Sequence, residues 1–189
     1  MKPGSRFERG FSMVEAITVV VIIGIMAGIA IPKSGLTTYK ANSGAQVVAS
    51  TLTYAQRLAI SRQADTRVAF DIAERQIRVH EDENNDNVID LAERVTVATL
   101  PDDVTFGRGS AAARDMGGAV VNFTRTQGGL PMVVFRRDGS ASENGGVYIS
   151  TIAGLSVDRT ADVRAVEVSR ATGRATWFSF ATGAWKEGR

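Results

Sequence analysis

Apolar residues run without a charge from Ala16 to Pro32, recur at helical spacing between Val48 and Ala59, and alternate with polar ones beyond Thr66. These three regimes predict an apolar helix, an amphipathic helix and a set of strands. At about 1.5 Å per residue, Phe11 to Ile31 makes a helix of roughly 31 Å, the thickness of a bilayer hydrocarbon core of about 30 Å. The first regime therefore predicts a membrane-spanning helix. Val48, Leu52, Ala55 and Ala59 then fall at i, i+4, i+7 and i+11, the stripe of a helix with one buried face, while Gln46, Gln56, Arg57 and Arg62 take the other sides. Pro32, Gly35 and Gly44 are predicted kink or melting points. A continuous helix from Phe11 to Arg62 is about 78 Å long.

Beyond Arg62 the period becomes two. Predicted strands are Thr66–Asp71 and Arg75–His80, a hairpin around Ile72-Ala73-Glu74, followed by Arg94–Thr99, Ala119–Thr124, Met132–Arg137, Val147–Ile152, Val163–Ser169 and Arg174–Phe180. The clearest hairpin joins the last two, because Gly173 can take the positive φ of a tight turn. Gly107–Gly118 and Gln127–Leu130 read as loops. A long helix followed by antiparallel strands is the α+β order.

Charge sharpens this picture at the N-terminus. Lys2, Arg6 and Arg9 against Glu8 make the first ten residues basic, and the remainder, with 19 basic and 19 acidic residues, is formally neutral. The whole-chain charge of +2 is thus a property of the leader and says nothing about nucleic acid. A basic leader stays cytoplasmic, which places the C-terminal body across the membrane. The chain has no cysteine, which excludes disulfides, thiolate zinc sites and cysteine catalysis.

Glu15 is the anomaly in the apolar run. A carboxylate in such a helix costs about 2.5–3.5 kcal/mol at the membrane centre, and less near an interface. A secretory signal peptide with a Gly28-Ile29-Ala30 cleavage site fits poorly, because the apolar run exceeds the usual h-region and Pro32 sits just beyond the cut. A plain membrane anchor explains the length but not this acid. Cleavage between Gly10 and Phe11 supplies a partner, because the new ammonium group lies one helical turn before Glu15 and can meet the same acid on a neighbouring molecule. Gly10, Phe11, Ser12 and Glu15, with the apolar run and Pro32, resemble the class III signal of type IV prepilins and type II secretion pseudopilins. The resemblance implies cleavage after Gly10 by a prepilin peptidase, N-methylation of Phe11, and Glu15 as the assembly residue. The segment Leu52–Phe70, LTYAQRLAISRQADTRVAF, resembles the helix-to-first-strand junction of the GspH/FimT family.

Asp82, Asn84, Asp86, Asp90 and Glu93 stand at positions 1, 3, 5, 9 and 12 of a loop, with the carbonyl of Val88 at 7, the ligand spacing of an EF-hand calcium site. Asn87 stands where that loop wants glycine, and no long helix flanks it, so calcium and a solvated acidic turn both remain open. His80 is the sole histidine and reads as structural. No G-x-S-x-G or comparable constellation appears, so an enzyme is not expected. Arg159, Arg164, Arg170 and Arg174, with Trp177 and Trp185, outline a polyanion-binding tail. Some FimT-like proteins bind DNA through a C-terminal arginine motif, but here Asp158, Asp162, Glu167 and Glu187 offset much of the charge. The sequence favours a wet strand face over DNA contact at Arg170 and Arg174.

The expectation is therefore an α+β, pilin-like subunit: leader 1–10, membrane and assembly helix 11–32, amphipathic continuation 33–62 and a β-rich periplasmic body 63–189. The resemblance implies, as partners, the peptidase, the lipid bilayer, other pseudopilins or pilins through the N-terminal helix, and an inner-membrane assembly platform. A membrane-anchored periplasmic ligand-binding domain is the alternative from another class.

Overall fold

A computed structural model describes residues 12–30, 33–82 and 93–188, and it has the expected α+β order, helices first and antiparallel strands afterwards. The chain divides into residues 1–36 and 37–189, which are taken in turn.

In the first unit, α1 (Met13–Ala30) begins where the carbonyl of Ser12 accepts the amide of Ala16 at 3.0 Å. Thr18 turns its hydroxyl back onto the carbonyl of Val14 at 2.8 Å, which hides the one hydroxyl of the run inside the helix's own backbone. With 18 residues, α1 is about 27 Å long. Among the described residues no helix is long and apolar enough to cross a membrane. The helix starts after Ser12, and Phe11, Ile31 and the predicted kink at Pro32 lie outside the described residues.

In the second unit, α2 (Lys33–Arg62), from Thr37 onward, carries the apolar stripe. Val48, Leu52, Ala55 and Ala59 are fully buried, and Ala45 and Ala41 extend the same stripe one and two turns earlier. Gly44 was predicted as a weak point, yet the helix runs through it. The reason is close packing: a Cβ there would stand 2.6 Å from the side chain of Val104 and 3.2 Å from that of Ile149. Only a bare backbone lets the helix sit this near the strands.

The strands are β1 (Thr66–Asp71), β2 (Gln76–Glu81), β3 (Val95–Thr99), β4 (Val104–Phe106), β5 (Arg125–Gln127), β6 (Leu130–Phe135), β7 (Gly145–Thr151), β8 (Arg164–Val168), β9 (Ala175–Ala181) and β10 (Ala184–Glu187). Among the described residues they form two antiparallel five-stranded sheets, ordered β3-β2-β1-β6-β5 and β10-β9-β8-β7-β4. One core joins the stripe of α2 to Val68, Phe70, Ile77 and Val79 of the first sheet and to Val104, Val147, Ile149 and Val166 of the second. Phe70 stacks on Phe123 at 5.5 Å between ring centroids and meets Phe106 edge-on at 6.2 Å.

The other face of the second sheet is covered by the glycine-rich segment after β4. Tyr148 Oη donates to the carbonyl of Gly117 at 2.8 Å and accepts the amide of Arg114 at 2.7 Å. Trp185 Nε1 donates to the carbonyl of Ala112 at 3.0 Å. The Arg114 guanidinium lies 3.6 Å from the Phe178 ring centroid and pairs with Glu167. The predicted loop Gly107–Gly118 is therefore a strap over a second, smaller core of Ala111, Tyr148, Val163, Ala165 and Phe180.

Most predicted strands are present within one or two residues. Ala119–Thr124 is the exception: Asn122 Oδ1 accepts the amide of Ala119 at 3.0 Å and its Nδ2 donates to the carbonyl of Ala119 at 2.7 Å. That local turn leaves a single bridge from Val121 to Val147. The alternation came from Val121 and Phe123 dipping into the core, which mimics strand periodicity. Arg75, predicted to open a strand, has φ of 54° and closes the β1–β2 turn instead. Ile152, predicted as the end of a strand, opens α3 (Ile152–Ser156), because Thr151 Oγ1 caps it by accepting the amide of Gly154 at 3.0 Å. Gly173 has φ of 62° as expected. β4, β5 and β10 were not predicted. β10 follows a two-residue turn, Thr182 and Gly183, both with positive φ, the backbone of a tight hairpin.

Candidate functional site

The N-terminal unit is the first candidate. Gly10 and Phe11 lie outside the described residues, and Glu15 sits exposed in the first turn of α1. A carboxylate there faces the partial positive charge of unpaired amides, so this end of the helix suits an acid. Every described side chain from Ser12 to Met26 is exposed, including Ile17, Val20, Ile23 and Met26. Burying each such side chain is worth about 1.5–3 kcal/mol. An apolar surface of this extent marks a region made for contact with other molecules.

The acidic loop is the second candidate. Of its proposed ligands, Asn84, Asp86, Val88 and Asp90 lie outside the described residues, while Asp82 and Glu93 stand at its two ends. Asp82 Oδ2 accepts a charge-assisted bond from Arg67 Nη2 at 2.6 Å, and both side chains are almost wholly buried. Among the described residues no group of three metal-ligating side chains forms. Arg67 was not anticipated as the partner of Asp82. It alternates with Val68 along a strand that is buried throughout, and a cation in such a strand is a signal that a buried acid lies nearby. The same face holds a second pair, Arg78 Nη2 to Asp71 Oδ2 at 2.7 Å. His80 is buried beside them. Its pKa is held below the ordinary 6.5, first by burial and then by the charges of Arg78 and Arg67.

The third candidate, the arginine and tryptophan tail, does not come together. Arg164 is buried, with Nε donating to Asn42 Oδ1 at 2.8 Å and Nη1 to the carbonyls of Ala161 and Val163, also at 2.8 Å. Burial depresses its pKa, with Asp162 opposing. Arg159 turns toward Asp162 at 3.8 Å. Trp177 packs against the main core and Trp185 against the smaller one. Arg170 and Arg174 are exposed but line different grooves. Arg170 faces one of about 330 Å³ with Arg136, Ser140 and Asn144. Arg174 faces another of about 390 Å³, where Asp115 and Glu167 supply negative charge. The turn between β8 and β9 that carries both is held to α2 by Gln56, whose Nε2 donates to the carbonyl of Thr172 at 2.6 Å and also to that of Gly139, in the turn after β6, at 2.8 Å.

Comparison with known proteins bears on the first candidate. Residues 5–31 match the family model described as the prokaryotic N-terminal methylation motif. No curated protein and no solved structure matches the chain. The motif supports a type IV prepilin-like protein, and with it processing by a prepilin peptidase and assembly with other pilin-like subunits. It covers Gly10, Phe11 and Glu15 together, and stops before the body begins.

Proposed function

We propose that the chain is a minor pseudopilin of a type II secretion system, of the GspH/FimT kind. Peptidase cleavage after Gly10 frees the amine of Phe11, and the N-terminal helix holds the subunit in the inner membrane with its body in the periplasm. Packing of helices then draws it into a periplasmic filament. The observation that carries this reading is the methylation motif over residues 5–31 lying on a helix whose described apolar side chains are all exposed. Within that helix Glu15 pairs with the freed amine of a neighbour, because a charge placed in an apolar packing is tolerated only when neutralised. The same motif serves a minor pilin of a type IV pilus.

Mass spectrometry of the mature N-terminus tests the reading, with a chain that starts at methylated Phe11 expected. A mature product that keeps its first ten residues overturns it. Glu15→Ala is expected to be cleaved normally yet to lose incorporation into filaments, read by shear-and-pellet fractionation. A deletion strain assayed for exoprotein release, twitching and transformation separates the secretion filament from the pilus.

A further inference from the structure

Among the described residues, three of the four sheet edges are blunted. β4 and β5 have three residues each, β5 starts with Arg125, and β10 ends in Lys186 and Glu187. Short strands and charges are how sheets discourage pairing with other chains. The fourth edge, β3, reads Val-Thr-Val-Ala-Thr with no charge and no proline, and Val95 and Val97 are 44% and 49% exposed.

The ladder shows which backbone groups of β3 face away from β2. Glu81 donates its amide to Arg94 at 3.1 Å, and Leu100 donates to Arg75 at 3.0 Å. Hydrogen-bonded pairs alternate in an antiparallel ladder, so with Val79 opposite Thr96 and Ile77 opposite Ala98, those residues turn their amides and carbonyls toward β2. Val95, Val97 and Thr99 turn theirs outward. Thr96 and Ala98 share the other face, where Ala98 packs on the core.

We propose that this edge is an interface between two copies of the chain, joined antiparallel with Val97 opposite Val97 of the second copy. Centred there, Val95 of each copy stands opposite Thr99 of the other, and every outward amide and carbonyl of the three residues finds a partner. The hydrogen-bonded cross-strand neighbours, Val97 with Val97 and Val95 with Thr99, are all β-branched, pairs that favour a sheet. No charge within the strand opposes another. A register shifted by one residue, with Thr96 opposite Val97, would instead set outward groups against groups already bonded to β2, and one centred on Thr96 or Ala98 would pair only two of the three outward residues within the strand. The pairing closes on itself as a two-fold dimer. It uses the body alone, so it is separable from helix assembly through α1.

The absence of cysteine makes the test direct. Hydrogen-bonded residues opposite each other have Cα atoms about 5.5 Å apart, within disulfide reach. The two copies of Val95 would stand about 14 Å apart, beyond it. In the full-length chain in detergent under mild oxidation, Val97→Cys is expected to give a covalent dimer and Val95→Cys alone none. A mixture of Val95→Cys and Thr99→Cys chains gives the mixed dimer, and adding Val97→Lys to both abolishes it. Circular dichroism confirms that each variant is folded, as expected for exposed positions. A folded Val97→Cys chain that stays monomeric, or cross-linking of Val95→Cys alone to the same extent, overturns the proposal. Glu15→Ala leaves the cross-link unchanged if the two interfaces are independent, and its loss in that variant overturns the assignment to the body.

Discussion

Two helices of one chain handle apolar residues in opposite ways. α1 is almost all Val, Ile, Ala and Gly, and its described side chains from Met13 to Met26 are exposed. α2 is on average neither apolar nor polar, yet its single stripe from Ala41 to Ala59 is buried completely. Hydrophobicity alone therefore does not decide what is buried within a chain. A stripe with a polar back matches a two-sheet body, whereas a helix that is apolar all round needs apolar surroundings on every side, and one small domain cannot supply them.

Breaking the body should show the largest effect. Removing one partner of a buried ion pair leaves an uncompensated charge, so Arg67→Ala is expected to destabilise the body by about 3–5 kcal/mol in denaturant unfolding. Leu52→Ala, which empties a fully buried site, is expected to lose about 2–5 kcal/mol. Its counterpart in α1, Ile22→Ala, removes similar apolar volume from an exposed position. It should leave unfolding within about 0.5 kcal/mol of the parent and reduce only recovery in filaments. Equal destabilisation by the two changes would end the contrast between the helices.

The smallest effect is a pH dependence confined to the body. Because the folded pKa of His80 lies below its ordinary 6.5, the unfolded chain binds the proton more readily near that pH. Its contribution to stability is complete above about pH 6.5 and is lost as pH falls through the lower folded value. The buried arrangement also includes Arg67, Arg78, Asp71 and Asp82, so His80→Gln should flatten the unfolding midpoint between pH 5 and 7 only in part. An unchanged profile would show that His80 does not titrate across that range.

Much of the architecture was legible because local chemistry and fold agree. The stripe of α2, the β1–β2 hairpin and the turn at Gly173 all follow from spacing and backbone preference. The exceptions share a cause. At Val121 and Phe123 a strand-like alternation arises from two side chains reaching the core, while Asn122 bends the backbone between them. β10 is too short to show a period, and Gly44 looks like a helix breaker until the strand packed against it is known.

From the sequence alone came the basic leader, the Gly10-Phe11 junction, Glu15 and the apolar run, since each acts through local composition and charge. The chain order of helix and strands was set in the same way, by periodicities that span neighbouring residues. Only the tertiary structure decided that Arg67 answers Asp82, that the four C-terminal arginines part company, and that β3 is left as an uncharged edge. Those outcomes depend on which strands become neighbours, and burial and pairing between residues far apart in sequence leave no local periodic trace.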